Sequence, residues 1–510
     1  MSVAYNTPQE LTGYSDHLDI PGNGGWPIFG HTFQVLLDLR GLFQRMYERY
    51  GPVFRINLLF KNSAVFLGPQ AVQTVLVDRA KNFSSGKAYD RVFGGLFSQC
   101  VIMRDFDDHS QVKQLLLPAF REPALRDYLG RMNPVITNAI NQWPVEKSFQ
   151  FFPAGKELAL NLAASVFFGL DFGSDLQKIN AALQTLITAP MAIIRKPIPG
   201  LAYSRGLKAR QFLRDYLRSV IPQRRLHPAA DMLSQLCQAR GEDGAQLGDD
   251  EIIEQMIFMI IAAHDSTASV ITSMAYLLAK HPDWQERLRT ESLSLSSDYA
   301  SYENLKELKS ASLVLKETLR LHAPAVMIPR QALESCEVEG VHIPAGTNVW
   351  VCPDFTHRMS EWWTNPTAFD PERFNEERAE HKRHRFSYMP FGGGAHACIG
   401  FHFAEMELKA VLHQLLLKYR LHLPEGYEAK YQMLPMPRPK DKLPIRLEPL
   451  GVERSAPSPK GQFIARAVQE VIGNAALSCP IAASEGLNLL KDQSVPAVLP
   501  SVAAACPYAH

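Results

Sequence analysis

A long helical pattern in the middle of the chain most constrains how it can fold. From about residue 108 to residue 320, apolar side chains recur every three or four residues, the spacing of one face of an α-helix. Prolines interrupt this pattern at Pro190, Pro197 and Pro199. Short strand-like segments flank the helical region, so the sequence predicts a mainly α-helical protein with small β-sheets.

The strand-like segments lie on both sides of the helical region. Residues 53–58 and 63–67 alternate apolar and polar side chains between two Gly-Pro pairs, a pattern that predicts a β-hairpin. Residues 330–352 again favour strands. An irregular stretch rich in proline and aromatic residues follows, and residues 403–419 predict a long amphipathic helix.

The chain length allows one large domain or two to three smaller ones. The chain has 510 residues, and domains typically have about 150. We find no repeat or linker between residues 21 and 450, so we expect one domain there, preceded by an N-terminal extension over residues 1–20. After residue 450 a Ser- and Pro-rich linker leads into an Ala-, Ser-, Val- and Pro-rich remainder. This composition predicts a flexible C-terminal extension over residues 451–510, with one helix at 462–473.

Charge and cysteine content limit the classes of partner and compartment. The chain has 53 Lys and Arg against 52 Asp and Glu, a net charge of +1, which argues against binding to nucleic acid. Its 7 cysteines are odd in number and scattered, so we expect a reducing, cytoplasmic location. We find neither a signal peptide nor an uncharged apolar run long enough for a membrane span. The apolar residues 189–203 leave peripheral membrane contact open.

A glycine-rich loop with one cysteine carries the strongest chemical signal. Three glycines precede Cys398 and Gly400 follows it, immediately before a predicted helix. Glycines let the backbone approach a flat, bulky group, and a helix N-terminus favours a thiolate. The pattern therefore predicts a thiolate metal ligand, with a glycine-rich helix entry around an incidental cysteine as the alternative. No second Cys or His lies at a spacing typical of zinc sites, such as C-x-x-C.

This loop resembles the haem-ligand loop of the cytochrome P450 family, Phe-x-x-Gly-x-Arg-x-Cys-x-Gly. Phe391 opens it, and His396 stands where the family most often has Arg, as it does in the sterol 14α-demethylase branch. The resemblance implies the cytochrome P450 fold as a single large haem domain. It also implies haem b with iron bound by Cys398, because a thiolate ligand favours cleavage of the O–O bond.

A second motif lies ahead of the cysteine loop. Glu317 and Arg320 are three residues apart in a helical run, so they share one face, although surface pairs of this kind are common and contribute little. The pair resembles the family's Glu-x-x-Arg motif, whose third member would be Arg373. The resemblance implies a buried triad that serves structure and haem retention and takes no part in the chemistry.

A polar block interrupts an apolar helix predicted to start near Asp249 and to reach Lys280. The block is similar to the family's oxygen-side segment, with Asp265 and Ser266 as the acid and hydroxyl that deliver protons and Thr267 as a substitute hydroxyl. The alternative is a core helix whose Ser and Thr bond to backbone carbonyls. Serine lacks the methyl of the usual threonine, so we expect looser coupling of oxygen use to product.

Haem propionates carry negative charge and need cationic partners. By resemblance to the family, we expect these partners to be His109, Lys113, Arg330 and His396. His109 could equally be an ordinary surface histidine.

The resemblance implies an oxidoreductase that inserts one oxygen atom from O2 into a hydrophobic substrate. Residues 87–103, 186–203 and 325–328 are the expected substrate-facing segments, although core packing explains apolar residues equally well. The haem loop and the C-terminal region look closest to the branch that acts on sterols, retinoids and other terpenoids, and fatty acids remain open. The substrate and the site of oxidation do not follow from the sequence.

Two further expectations concern partners and rival functions. The chain has no flavin or iron–sulfur signature, so electrons would come from a separate ferredoxin- or flavodoxin-type system. It could dock near the basic residues 382–385, for which a solvated run of charges is the alternative. A P450-fold peroxygenase or isomerase is one alternative function. A non-catalytic haem-binding sensor is another, and the Cys-Pro pairs at Cys479 and Cys506 would suit it.

Overall fold

Helices form most of the part of the chain that the structure describes. The structure is a computed structural model, and it describes residues 19–58, 61–93, 95–169, 174–192, 194–241, 244 and 246–451. Within these ranges the α-helices are α1 (Thr32–Leu37), α2 (Leu39–Tyr50), α3 (Pro69–Val77), α4 (Ser85–Phe93), α5 (Phe106–Leu116), α6 (Glu122–Asn141), α7 (Phe151–Phe168), α8 (Ser174–Thr188), α9 (Ala202–Leu226), α10 (Met232–Gln238), α11 (Asp249–Lys280), α12 (Pro282–Ser294), α13 (Lys309–Leu321), α14 (Pro353–Thr356) and α15 (Phe401–Lys418).

The strands of the described residues are short. They are β1 (Val53–Leu58), β2 (Lys61–Phe66), β3 (Phe83–Ser84), β4 (Ser148–Gln150), β5 (Ile328–Ala332), β6 (Cys336–Val338), β7 (Val341–Ile343), β8 (Asn348–Val351), β9 (Tyr419–His422), β10 (Tyr431–Gln432), β11 (Arg438–Pro439) and β12 (Pro444–Pro449). The largest sheet has the order β1-β2-β8-β5-β3, and a three-stranded sheet has the order β4-β12-β9. The predicted hairpin at residues 53–67 and the predicted strands within 330–352 are therefore confirmed.

The five-stranded sheet separates two small apolar cores. Successive side chains of a strand point to opposite faces. Accordingly, Phe66 belongs to the core on one face, and its neighbour Val65 belongs to the core with Phe54 on the other face. Both faces of this sheet are therefore covered, and its strand β5 carries Arg330 toward the larger helical core.

Helix α11 runs through the main helical core, with the bounds predicted from the sequence. Its first turn holds Asp249, Asp250 and Glu251, and its last turn holds Lys280, the charges that each end of a helix dipole favours. By length and composition this helix could cross a membrane, but 67% of its most apolar window is buried inside the protein. We conclude that α11 is a core helix, and no other described helix passes the same test.

The predicted break in the helical region is also confirmed. Helix α8 ends at Thr188, a short 3-10 turn covers Ala189–Met191, and α9 begins at Ala202. The residues before 19, the predicted tail helix at 462–473, and the Cys-Pro pairs at Cys479 and Cys506 lie outside the described residues.

Candidate active site

The predicted site residues meet around one cavity. It has a volume of about 350 Å³ and lies between α5, α11, the start of β5 and the loop before α15. Its wall is mainly apolar, with contributions from Phe258, Met259, Ala262, Val270, Ile328 and Met436. Eight of the twelve predicted site residues also line it, and Asp265, Glu317, Arg320 and Arg373 do not; the eight are Ser266, Thr267, His109, Lys113, Arg330, Phe391, His396 and Cys398.

The loop around Cys398 is folded tightly by its glycines. Gly394 has a φ of 66°, and a Cβ there would lie 1.7 Å from the carbonyl oxygen of Leu76, so no larger residue fits. The Cys398 amide donates to the carbonyl oxygen of Phe391 at 2.9 Å. This geometry leaves the Cys398 side chain exposed on the cavity wall.

From the sequence we expect the helix N-terminus to lower the pKa of Cys398, but in the structure this pKa is raised. Cys398 is exposed to the cavity but lies deep among protein atoms, and this desolvation raises the pKa of Cys398; the Gly400 amide and the charge of Lys113 act in the opposite direction and do not offset it. The thiolate form therefore needs a stronger positive charge in the cavity. A bound metal ion supplies such a charge and deprotonates a coordinating thiol.

Two histidines lie ring against ring at the edge of the cavity. The ring centroids of His109 and His396 are 3.8 Å apart. Burial lowers the pKa of His109 to about 4 and that of His396 to about 2, assisted in both by the charge of Arg330. With the cavity lined by protein atoms alone, both rings therefore favour the neutral form near pH 7, and their role as propionate partners stays a prediction. His109 Nδ1 is buried without a hydrogen-bond partner, so the pair can still bind an acceptor or donor entering the cavity.

Two cations also face the cavity. Arg330 is buried and donates a hydrogen bond only to the carbonyl oxygen of Pro329, with no carboxylate partner among the described residues. Lys113 Nζ donates to the carbonyl oxygens of Ala395 at 2.6 Å and Ala397 at 2.8 Å, so it also ties α5 to the cysteine loop. A buried guanidinium without a counter-ion is costly. These residues therefore fit a flat, anionic group bound in this cavity beside Cys398.

The polar block of α11 is divided between two sides of the helix. Ser266 lines the cavity, and its Oγ donates to the carbonyl oxygen of Ala262 at 2.7 Å. Asp265 does not line the cavity; its Oδ1 lies 3.1 Å from Lys156 Nζ on α7 and 3.2 Å from His264 Nδ1. Burial tends to raise the pKa of Asp265, but His264 and Lys156 outweigh it, so the pKa is lowered. The expected acid and hydroxyl thus face different directions, and sequence reasoning missed Lys156 because it lies on another helix.

The Thr267 hydroxyl is also directed away from its expected position. Its Oγ1 donates to Oε2 of Glu407 on α15 at 2.9 Å. Glu407 is buried, and the burial raises its pKa to about 8. The Thr267 hydroxyl, expected as a substitute for that of Ser266, is therefore hydrogen-bonded to Glu407, which the sequence analysis did not identify.

The motif residues behind the loop form a buried network with four members. Arg320 donates to both oxygens of Glu317, at 2.7 and 2.8 Å, and Arg373 donates to Glu317 at 3.2 Å. Arg373 also donates to Glu380 at 3.0 Å. These four side chains are buried, and Glu380 also accepts a hydrogen bond from the less buried Arg378 at 2.6 Å. Sequence reasoning found three members and missed Glu380.

The structure also distinguishes among the expected substrate-facing segments. Tyr89 and Ile102 from the first segment and Ala325 from the third line the cavity. No described residue of the segment 186–203 does. Phe258, on α11 one turn before Ala262, occupies part of the wall instead.

Comparison with known proteins agrees with this arrangement. The family model described as "Cytochrome P450" matches residues 20–445. The chain is 38% identical over 441 residues to the "Putative cytochrome P450 136" of Mycobacterium tuberculosis (strain ATCC 25618 / H37Rv), covering 84% of this chain and 88% of that protein. It is 27% identical to the "Taxane 10-beta-hydroxylase" of Taxus cuspidata, covering 82% of this chain and 87% of that protein.

A solved structure is similar in fold. The structure titled "Retinoic acid bound cyanobacterial CYP120A1" matches with a TM-score of 0.76 and 26% identity, covering 84% of this chain and 99% of that chain. Relatives named as hydroxylases and monooxygenases show the class of enzyme, since they match over most of their length. The chain therefore belongs to the cytochrome P450 family of haem-thiolate monooxygenases.

Proposed function

We propose that this enzyme holds haem b in the cavity through Cys398 and inserts one oxygen atom from O2 into a terpenoid-like substrate. The observation that carries this proposal is that Cys398 is exposed on a mainly apolar cavity wall. The same cavity is lined by Arg330, a cation without a carboxylate partner among the described residues. When bound, a haem with a thiolate ligand supplies cleavage of the O–O bond. The residues of the chain bind the haem, exclude water and deliver protons.

The binding roles follow from charge and position. Cys398 is the iron ligand, Arg330 and Lys113 provide positive charge for the propionates, and the neutral rings of His109 and His396 provide hydrogen bonds. The two cations oppose two propionate charges, so the site becomes close to electrically balanced when filled.

Proton delivery requires a movement of Asp265. In the structure Lys156 and His264 hold its carboxylate on the α7 side of α11, whereas the Ser266 hydroxyl is on the cavity side. We infer that Asp265 takes up a proton on the outer side, leaves Lys156, and passes the proton toward Ser266. Lys156 keeps the carboxylate charged between these events, because the ion pair favours its ionised form.

A hydrophobic polycyclic or isoprenoid substrate fits both the cavity and the relatives. Aromatic and aliphatic side chains such as Phe258 and Met259 form most of the wall. Relatives are named for taxane hydroxylation, abscisic acid hydroxylation and beta-amyrin oxidation, and the similar solved structure has bound retinoic acid. We therefore favour a terpenoid over a sterol-like molecule or a fatty acid. Titration of the loaded enzyme with the three lipid classes, read as a shift of the haem absorption band, tests this order.

We propose that electrons come from a separate ferredoxin- or flavodoxin-type protein. Lys382, Arg383 and Arg385 are exposed, as a docking surface for an acidic partner requires. Replacing Lys382 and Arg385 by Glu should slow reduction by an acidic ferredoxin and weaken its salt dependence. An unchanged rate with both partner types would place the docking surface elsewhere.

We place the enzyme in the cytoplasm, in contact with a lipid surface from which it takes its substrate. In the segment 189–203, for which the sequence leaves membrane contact open, Ile194 and Ile198 are exposed. A second exposed apolar group lies near the start of the described chain and comprises Trp26, Ile28, Phe29, Phe33, Leu36 and Leu37. Sedimentation with anionic phospholipid vesicles should decrease when Phe33 and Leu37 are replaced by Glu, and equal sedimentation would contradict the contact.

Turnover assays separate the proposal from its rivals. The monooxygenase should form product with O2 and a reductant system. A peroxygenase would form it from peroxide alone, an isomerase would act on a pre-oxidised substrate without a reductant, and a sensor would form none. The Asp265, Lys156 and Ser266 arrangement favours the first outcome because the other reactions need no proton delivery to O2.

A further inference from the structure

Glu407 is a buried acid for which the binding of haem and substrate gives no reason. It lies on α15, the helix that follows Cys398, with a relative exposure of 2%. Nearby on the same helix, Glu405 is partly exposed and pairs with Lys409 at 2.9 Å. In the described part of the chain no Lys, Arg or His forms an ion pair with Glu407.

The absence of a counter-ion determines the protonation state of Glu407. An ionised carboxylate without a cation costs several kcal/mol in a protein interior, and such a group takes up a proton instead. Burial raises the pKa of Glu407 to about 8, and the hydrogen bond from Thr267 opposes this only in part. Near neutral pH the side chain is therefore mainly a neutral carboxylic acid.

Glu407 contacts Thr267, a residue of the cavity wall. Its Oε2 accepts a hydrogen bond from the hydroxyl of Thr267 at 2.9 Å, and Thr267 lines the cavity next to Ser266. The bond joins the helix that begins just after Cys398 to the helix on the opposite part of the wall. It also holds the Thr267 hydroxyl on the side of α15.

We propose that Glu407 is a positioning residue, a neutral carboxylic acid that holds the Thr267 hydroxyl toward α15. Of the two neighbouring hydroxyls, only that of Ser266 then takes part in proton delivery in the cavity. This inference rests on the proposed monooxygenase function for its catalytic consequence, and on the contact alone for its structural part.

The catalytic consequence follows from hydration of the wall. Without Glu407 the Thr267 side chain rotates, and its hydroxyl binds either a backbone carbonyl or a water molecule in the cavity. A second hydrated hydroxyl beside Ser266 gives protons another route, so reducing equivalents end in peroxide instead of product. Glu407→Gln retains a hydrogen-bonding group of the same shape, whereas Glu407→Leu retains only the volume.

Infrared difference spectroscopy tests the structural part without turnover. Spectra of the haem-loaded full chain are recorded near neutral pH for wild type, Glu407→Gln, Thr267→Val and the control Glu405→Gln. We expect the carbonyl band of a protonated carboxylic acid in wild type, its loss in Glu407→Gln, a shift in Thr267→Val, and no change in the control. Absence of this band, or a band that Thr267→Val does not shift, would overturn the proposal.

Coupling measurements test the catalytic part. Glu407→Leu should raise the ratio of peroxide to product about fivefold, the effect of one lost hydrogen bond, because it frees the Thr267 hydroxyl. Thr267→Val has no hydroxyl that could bind water in the cavity, so it should leave the ratio near that of wild type. The double variant should return to the ratio of Thr267→Val, because no hydroxyl remains at position 267. Glu407→Gln should stay within about twofold of wild type.

The two parts fail in distinguishable ways. If Glu407→Leu only lowers the thermal midpoint and leaves the peroxide-to-product ratio unchanged, Glu407 has a purely structural role and the proposal is overturned. If wild type makes no product with O2 and any reductant system, the proposed function fails, and the infrared result still decides whether Glu407 is protonated and bound to Thr267.

Discussion

Lys156 Nζ lies 3.1 Å from Asp265 Oδ1, and this ion pair holds the only acid of the α11 polar block on the side of α7, away from the cavity. Asp265, the acid expected from the family resemblance, is therefore held as a carboxylate beside Lys156. In the proposed mechanism its reach to Ser266 depends on breaking that pair, which links proton supply to a side-chain movement.

Replacing Asp265 by Asn should slow product formation with O2 and reductant about a hundredfold, the usual contribution of a positioned acid. Asp107→Asn is the matched control, because Asp107 is exposed and pairs only with Lys81 on the surface. Steady-state turnover with the natural reductant system measures both variants. Equal rates for Asp265→Asn and wild type would remove Asp265 from proton delivery.

The buried acid Glu407 should make stability depend on pH. Its folded pKa is raised from the ordinary 4.5 to about 8, so the folded state binds a proton that the unfolded state has lost between these values. Wild type should lose about 1.4 kcal/mol of unfolding free energy per pH unit relative to Glu407→Gln in this window. Urea unfolding at pH 5, 6 and 7 measures the difference, and a constant difference across these pH values would show that Glu407 is ionised when folded.

The network behind the cysteine loop should be costly to break. Glu317→Gln leaves Arg320 without a carboxylate partner and Arg373 with Glu380, and we expect a loss of about 3–5 kcal/mol in unfolding free energy. Glu372→Gln, which breaks the exposed pair with Arg287, should cost about 1 kcal/mol or less. Chemical denaturation of the two variants compares them, and similar losses would mean that the buried network contributes no more than a surface pair.

Arg330 should control how tightly haem is held. Arg330→Met keeps the side-chain volume but removes the buried cation of the cavity, so haem loss to an acceptor protein should be about tenfold faster or more. Arg91→Met is the control, since Arg91 is bonded to Asn348 and does not line the cavity. Equal haem loss from the two variants would assign the propionate charge to Lys113 alone.

Local patterns in the sequence were sufficient for the helical region, the hairpin and the strands within 330–352, and they pointed to eight residues that line the cavity. The 3.6-residue period gave the bounds of α11, and the spacing of Glu317 and Arg320 placed both on one helical face because such geometry is local. Long-range contacts were not accessible in the same way. Lys156 and Glu407 come from α7 and α15, and their partners on α11 are set by helix packing that no single segment encodes.

Protonation states also required the structure. The helix N-terminus after Cys398 favours a thiolate when considered alone, but the burial visible only in the fold raises the pKa of the thiol. Burial likewise lowers the pKa values of His109 and His396, whose residue type alone suggests a cation.

The most direct test of the account is the absorption spectrum of the reduced carbon monoxide complex. Wild type should show the red-shifted Soret band of a thiolate-bound haem, and Cys398→Ser should lose it while the control Cys336→Ser, half-buried in β6, keeps it. A Cys398→Ser protein that retained the red-shifted band would contradict the assignment of Cys398 as the haem ligand.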